Sequence, residues 1–274
     1  MRTNITQEEI ESYQDNGFLV LRDFLEGDEL EKMRSAVTKS VDKMGKSKVT
    51  TVDGGIDKDN IQEGEDFYDN VFLQRLNLWR INAFIKDFFT NPKLGKMLCD
   101  LAGVDGMRIW HDQTLQKRPW GNPTGWHLDN PYWSFYSFNS LSIWIALDDA
   151  TIENGCMWYL PRTHKSAKHE TNVAISQNVG ALITSNPEWT KLEAVPAPMK
   201  AGDCGIHNGM TAHGANANMT PGWRRAMTCA FMPDGEVFNG HRNILPKEYF
   251  ETLKEGDVLN NDDINPLVYE RERV

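Results

Sequence analysis

The stretch GWHLDNPYW at residues 125–133 sets a histidine and an aspartate two positions apart, His127 and Asp129, among tryptophans. Side chains two apart on a β-strand leave the same face, so this imidazole and carboxylate can reach one cation together. A third ligand is then needed, and the chain has seven histidines. His213 has the most distinctive setting, AGDCGIHNGMTAHGANANMTPGWRRA at 201–226. A strand entered through Gly202-Asp203 leads to His213-Gly214, and a turn at Pro221-Gly222 leads into Arg224-Arg225. Two histidines and one carboxylate on a β scaffold form the donor set that holds non-haem Fe(II) while leaving coordination positions open. An arginine on a neighbouring strand can fork onto a distant carboxylate, a geometry lysine matches less well. Successive strand residues face opposite ways, so only one of Arg224 and Arg225 can point inward. On spacing alone, His127 and His213 are equally readable as ordinary strand histidines with no metal between them.

The elements that must position these residues fall into three parts. Residues 1–105 read as mostly helical. Thr6 and Glu9 form a capping box for a helix that stops at Gly17. A strand follows over Phe18–Phe24, and Leu30, Met33, Val37 and Val41 recur at helical spacing between Asp28 and Met44. Residues 45–66 are polar and glycine-rich, a mobile loop that reads as a lid or, about equally, as a plain surface excursion. A second helical region is expected from Val71 to Ala102, broken near Pro92. From 106 to 240 short β-like runs alternate with turn residues: Met107–Lys117, Leu141–Leu147, Cys156–Leu160, a stretch near Val179–Thr184, Cys204–His207 and Arg225–Met232. Residues 241–274 form a polar tail with one short helix around Lys247–Lys254. Helices first and many short strands afterwards predict one mainly-β domain over 1–274. Its core is a double-stranded β-helix, the cupin-like jelly roll, with N-terminal helices packed outside.

Bulk composition narrows the function classes. A net charge of −10 and a pI near 5.2 disfavour nucleic acid or an anionic membrane as partner. No apolar run is long enough for a transmembrane helix, and MRTNITQEEIESYQ at the start has no apolar stretch of a secretory signal. Cys99, Cys156, Cys204 and Cys229 are widely spaced, which suits reduced thiols in a cytoplasmic protein better than a zinc knot or disulfide scaffold.

Several linked motifs then resemble the phytanoyl-CoA dioxygenase family of Fe(II)/2-oxoglutarate-dependent oxygenases. They are Tyr13 with Asn16-Gly17-Phe18, Trp126-His127-Leu128-Asp129 with Tyr132-Trp133, Ser142 to Ala150, Glu153-Asn154-Gly155-Cys156-Met157-Trp158, Leu160 to Lys165, and Ala201-Gly202-Asp203 with His213-Gly214 and Arg224. The resemblance spans nearly the whole chain. It implies His127, Asp129 and His213 as catalytic iron ligands, and Fe(II), 2-oxoglutarate and O2 as cofactors. Arg224 would bind the distal carboxylate of 2-oxoglutarate, while Trp144 and Gln113 would line its pocket. The implied reaction is hydroxylation of an unactivated C–H bond in a small-molecule substrate, with release of succinate and CO2. Halogenases of this superfamily carry a small residue where this chain has Asp129, so oxygen rather than halide transfer is expected. Many relatives place a serine hydroxyl on 2-oxoglutarate two residues after the distal histidine, where this chain has Ala215. Arg80 is a candidate for the basic residue that relatives draw from the N-terminal region, though a structural arginine reads as well.

Asn130, Trp133 and Trp126 flank the HxD pair and are candidates for substrate contact. His164 reads as structural and His207 as a packed neighbour of the site. Lys117 and Arg118 are candidates to attract an anionic substrate, with exposed strand-end charges as the default reading. Two other functions fit the same fold, a catalytically silent jelly-roll binding or regulatory protein and a cupin-like metal enzyme that does not use 2-oxoglutarate. Arg224, eleven residues beyond His213, argues against both unless a carboxylate must be bound.

Overall fold

The computed structural model describes residues 1–63 and 67–272, so the end of the 45–66 loop, at 64–66, lies outside the described residues. Numbered along the chain, the helices are α1 (Gln7–Asn16), α2 (Gly27–Met44), α3 (Ala83–Phe89), α4 (Pro92–Ala102), α5 (Ala181–Ser185) and α6 (Lys247–Phe250). The strands are β1 (Phe18–Leu21), β2 (Leu73–Leu76), β3 (Gly106–Lys117), β4 (Thr124–His127), β5 (Leu141–Ala146) and β6 (Met157–Tyr159), then β7 (Val195–Ala197), β8 (Cys204–Asn208), β9 (His213–Ala215), β10 (Arg224–Pro233) and β11 (Leu267–Glu270). Among the described residues they form two antiparallel sheets. The larger runs β1-β8-β5-β10-β3-β11, with β2 also paired to β3, and the smaller runs β4-β9-β6-β7. Two such sheets with helices outside make the expected jelly roll.

The large sheet is buried on both faces, and its alternation assigns each face a task. On β5, β8 and β10 one set of side chains, Leu141, Ile143, Ile145, Cys204, Ile206, Met227, Cys229 and Phe231, joins the main hydrophobic core. Leu30, Met33 and Val37 of α2, Ile85 and Phe89 of α3 and Leu94 and Leu98 of α4 complete that core from outside. The intervening set, which includes Ser142, Trp144, His207, Arg224 and Thr228, faces the space between the sheets. The sheet is thus anchored on one side by apolar packing and left free on the other to carry polar groups.

Local signals hold at the N-terminus. Thr6 and Glu9 form both hydrogen bonds of the capping box, and Gly17 ends α1 at φ 82. Four expectations are corrected. The first strand stops at Leu21, because Asp23 turns the chain at φ 54. Leu73–Leu76, expected to be helical, is β2, which satisfies its backbone against Gln113 to Gln116 of β3 and ends at Asn77 with φ 59. Val179–Thr184, expected to be a strand, is mostly the one-turn helix α5, drawn in by burial of Leu182 beside Trp189 and Leu128. Finally, β1, β2 and β11 lie outside 106–240 yet belong to the large sheet, so both flanks of the chain complete it.

Candidate active site

His127 ends β4 and pairs directly with His213 at the start of β9, across a bulge in the register. Residues paired across antiparallel strands share a face, so the two rings meet, with centroids 4.2 Å apart. Asp129 arrives differently from its expected place on the strand. It has already left β4, at φ −80 and ψ −52, and opens a 3₁₀ turn. The carbonyl of Gly209 accepts from the amides of both Asp129 and Asn130, at 3.0 and 2.9 Å, and folds this turn back toward the histidines. The Oδ1 of Asp129 then lies 3.5 Å from His127 Nε2 and 3.6 Å from His213 Nε2. One ligand atom from each residue lies within 4.8 Å of the others.

Each histidine is oriented by a backbone carbonyl. His127 Nδ1 lies 2.8 Å from Gly125 O, and His213 Nδ1 lies 2.9 Å from Thr211 O. A carbonyl only accepts, so Nδ1 carries the proton and Nε2 turns its lone pair toward Asp129. Burial, together with neighbouring His127 and His207, holds His213 well below the usual imidazole range, in the neutral form a metal requires. The second oxygen of Asp129 accepts from Ser142 Oγ at 2.9 Å and meets His207 Nε2 at 3.1 Å. His207 is therefore the packed neighbour expected, with a definite job in orienting the carboxylate.

Toward the far end of the same cavity, β10 presents Arg224 inward and Arg225 outward. Arg225 forks onto Asp148, through Nε at 2.8 Å and Nη2 at 2.7 Å. Arg224 is 2% exposed, and its Nε and Nη1 have no hydrogen-bond partner among the described residues. Its guanidinium sits 5.0 Å from the ring of Trp144. Burial pushes it down to about 10, so it remains charged at neutral pH. A buried cation with orphaned donors fits an incoming carboxylate.

Alternation on β3 puts His111, Gln113 and Leu115 on the cavity wall, with Lys117 continuing the alternation. Gln113 lines the cavity and accepts through Oε1 from Gln74 Nε2 of β2 at 2.6 Å. Lys117, expected to be an exposed charge, is 0% exposed. It stands opposite Arg224 across β3 and β10, and burial followed by the nearby arginine pushes it down to about 6.

The cavity measures about 1100 Å³. It takes in the triad, Arg224, Trp144 and Gln113, together with Trp133, but neither Asn130 nor Trp126 lines it. Asn130 is fully buried and braces the turn, accepting through Oδ1 from Ser137 N and His169 Nε2. Trp126, one residue before His127, alternates onto the opposite face and packs near Leu128 and Leu160. Arg80 does reach the cavity wall, on a turn whose Leu78 and Trp79 amides both donate to Asp112. His164 lies against Gly17, away from the triad. The lid reading of the 45–66 loop fits the wall supplied by residues 48–53, but sequence reasoning missed Gln74, Thr124, Ser142 and the wall supplied by residues 242–248. For Ser142 the signal was present, two residues before Trp144 on one strand; residues 242–248 offered none.

The family model described as phytanoyl-CoA dioxygenase matches residues 13–226. The dioxygenase lolE1 of Epichloe uncinata is 28% identical over 233 residues, covering 81% of each chain. The peroxisomal phytanoyl-CoA dioxygenase of Homo sapiens is 26% identical over 238 residues, covering 83% of this chain and 68% of that one. Among solved structures, the α-ketoglutarate-dependent carbocyclase SnoK from nogalamycin biosynthesis superposes with a TM-score of 0.77 at 24% identity, covering 97% of both chains. EctD from S. alaskensis, solved with 2-oxoglutarate and 5-hydroxyectoine, gives 0.70 at 16% identity, covering 98% of this chain and 88% of that one. At these identities the structural likenesses establish the fold.

Proposed function

The chain belongs to the phytanoyl-CoA dioxygenase family and is an Fe(II)- and 2-oxoglutarate-dependent dioxygenase; from that premise we propose that it hydroxylates an unactivated C–H bond of a small molecule, with His127, Asp129 and His213 as its iron ligands. The donor set suits ferrous iron, because two imidazoles and one carboxylate would hold it from one side and leave the cavity side open. Iron, 2-oxoglutarate and O2 together supply the oxidising power, with succinate and CO2 released.

The residues do the positioning. Asp129 balances part of the metal charge, and His207 with Ser142 fixes which of its oxygens faces the histidines. Arg224 holds the distal carboxylate of 2-oxoglutarate, with Trp144 covering the guanidinium and Gln113 donating its amide from the facing wall. Trp133, Tyr132 and Ile244 supply an apolar surface for the substrate, alongside the edge of His111. Burial pushes His111 down to about 4, so it meets the substrate as a neutral ring. Retention of Asp129 favours oxygen over halide transfer.

The observation that carries this reading is Arg224, a buried arginine with two unsatisfied nitrogens facing the same cavity as the triad. A silent binding protein has no use for that arrangement, and a metal enzyme without 2-oxoglutarate leaves the arginine unpaired. The test is anaerobic addition of Fe(II) and 2-oxoglutarate, which is expected to give a weak visible charge-transfer band that His127→Ala removes. Succinate release, screened over small metabolites, then identifies the substrate, and product mass distinguishes an added oxygen from chloride. Absence of the band sinks the assignment. Four buried, unpaired cysteines and the acidic net charge support a reducing, cytoplasmic setting with no nucleic-acid partner. No helix among the described residues is long and apolar enough to cross a membrane.

A further inference from the structure

The wall between the triad and Arg224 holds a polar pair that the chemistry above does not use. β4 and β9 place Thr124 directly opposite Ala215, in the same ladder that places His127 opposite His213. Cross-strand partners share a face, and Ala215 lies two residues beyond His213, so Thr124 belongs to the cavity side with the imidazoles. Ala215 brings only a methyl group to this point. Thr124 is 8% exposed, and its Oγ1 lies 3.3 Å from Lys117 Nζ. The same Nζ donates to the carbonyl of Asn122 at 2.6 Å. The lysine stem is held in a tight slot, since a Cβ added at Gly155 would come within 2.9 Å of Lys117 Cδ.

Lys117 and Arg224 are paired across β3 and β10, and neither has a carboxylate partner among the described residues. Burial beside Arg224 disfavours a proton on Lys117 while the site is empty, and an anion arriving between the two side chains would restore the ammonium form. In that ammonium form Lys117 has no lone pair, so Thr124 accepts from it and turns its own proton elsewhere. No hydrogen bond donated by Thr124 Oγ1 forms among the described residues, and the hydroxyl borders the cavity that holds Arg224.

We propose that Thr124, positioned by Lys117, completes the seat for the distal carboxylate of 2-oxoglutarate, donating a hydroxyl hydrogen bond from the strand opposite Ala215. Lys117 adds a second positive charge behind that hydroxyl without needing to touch the ligand. This rests on the assignment of 2-oxoglutarate to the Arg224 end of the cavity.

The test compares two 2-oxo acids that chelate iron alike, 2-oxoglutarate and 2-oxopentanoate, which lacks the distal carboxylate. Each is titrated anaerobically into the Fe(II)-loaded protein and followed by the charge-transfer band. Thr124→Val is expected to weaken 2-oxoglutarate about 10-fold or more, the size of one hydrogen bond to a charged group, and to leave 2-oxopentanoate unchanged. Adding Ala215→Ser to that variant supplies a hydroxyl from the facing strand and recovers most of the loss. Lys117→Met weakens 2-oxoglutarate selectively as well, and in turnover the KM for 2-oxoglutarate rises more than kcat falls. Unchanged affinity in Thr124→Val, equal losses for both acids, or no recovery in the double variant would each overturn the proposal. A wild-type protein that gives no band with either acid overturns the cofactor assignment itself, and this proposal with it.

Discussion

At the triad end of the cavity Asp129 is surrounded by groups that satisfy it, with Ser142 and His207 on one oxygen and two imidazoles beside the other. At the opposite end Lys117 and Arg224 lie buried with no carboxylate, and two nitrogens of the arginine are unpaired. Both ends are built from inward positions of antiparallel strands, so the difference lies in what each end lacks. The triad end is a negative cradle that a divalent cation completes. The arginine end is a positive socket whose desolvation cost is offset only when a dianionic co-substrate arrives. This contrast predicts metal-dependent effects at one end and carboxylate-dependent effects at the other.

The largest expected effect is loss of a ligand. His127→Ala, Asp129→Ala and His213→Ala are each expected to abolish both the charge-transfer band and succinate release. Retention of the band in any of the three would break the assignment of that end. Next comes Arg224→Leu, where removing one partner of a buried charge pair costs about 2–5 kcal/mol, or a loss in 2-oxoglutarate affinity of about 30-fold or more. Iron affinity is expected to hold, so a direct Fe(II) titration of this variant separates the two ends. His207→Ala acts through the orientation of Asp129, and a loss of about 10-fold in iron affinity is expected, with the 2-oxo acid preference unchanged.

The smallest effect is on stability. An unfolded chain keeps Lys117 protonated up to the ordinary lysine range, whereas the folded protein releases that proton above about 6. The unfolded state therefore binds more protons between those limits, and stability without co-substrate rises with pH across that window. Lys117→Met is expected to flatten this slope and raise the melting temperature, by about 2–4 °C for each kcal/mol relieved. Thermal unfolding of the two proteins from pH 6 to pH 9 checks it. A lower melting temperature in the variant would show that the ammonium is well satisfied as it stands, and the socket would then not be strained.

Only part of the triad end was legible from spacing. HxD put His127 and Asp129 within reach of one cation but left His213 open between a ligand and an ordinary strand histidine; the family resemblance proposed the full donor set, and the alternation rule leaves one of Arg224 and Arg225 facing in. Asp129 was legible in identity but not in placement, since its turn is folded back by Gly209, eighty residues away in the chain. Less of the arginine end could be read. Lys117 looked like a strand-end charge because nothing near it in sequence reveals that β10 lies alongside and buries it.

The sequence by itself determined the donor types, the caps of α1, the period-2 faces of β5 and β10 and the family to which the chain belongs. These depend on residue identity and on neighbours a few positions away. Only the tertiary structure decided that Leu73–Leu76 is a strand, that Ala181–Ser185 is a helix, that Asn130 turns away from the cavity, and that Thr124 faces Ala215. Each of those outcomes is set by strand pairing or burial between segments distant in the chain. The free energy of such contacts exceeds local propensity, and their partners cannot be identified until the chain has closed on itself.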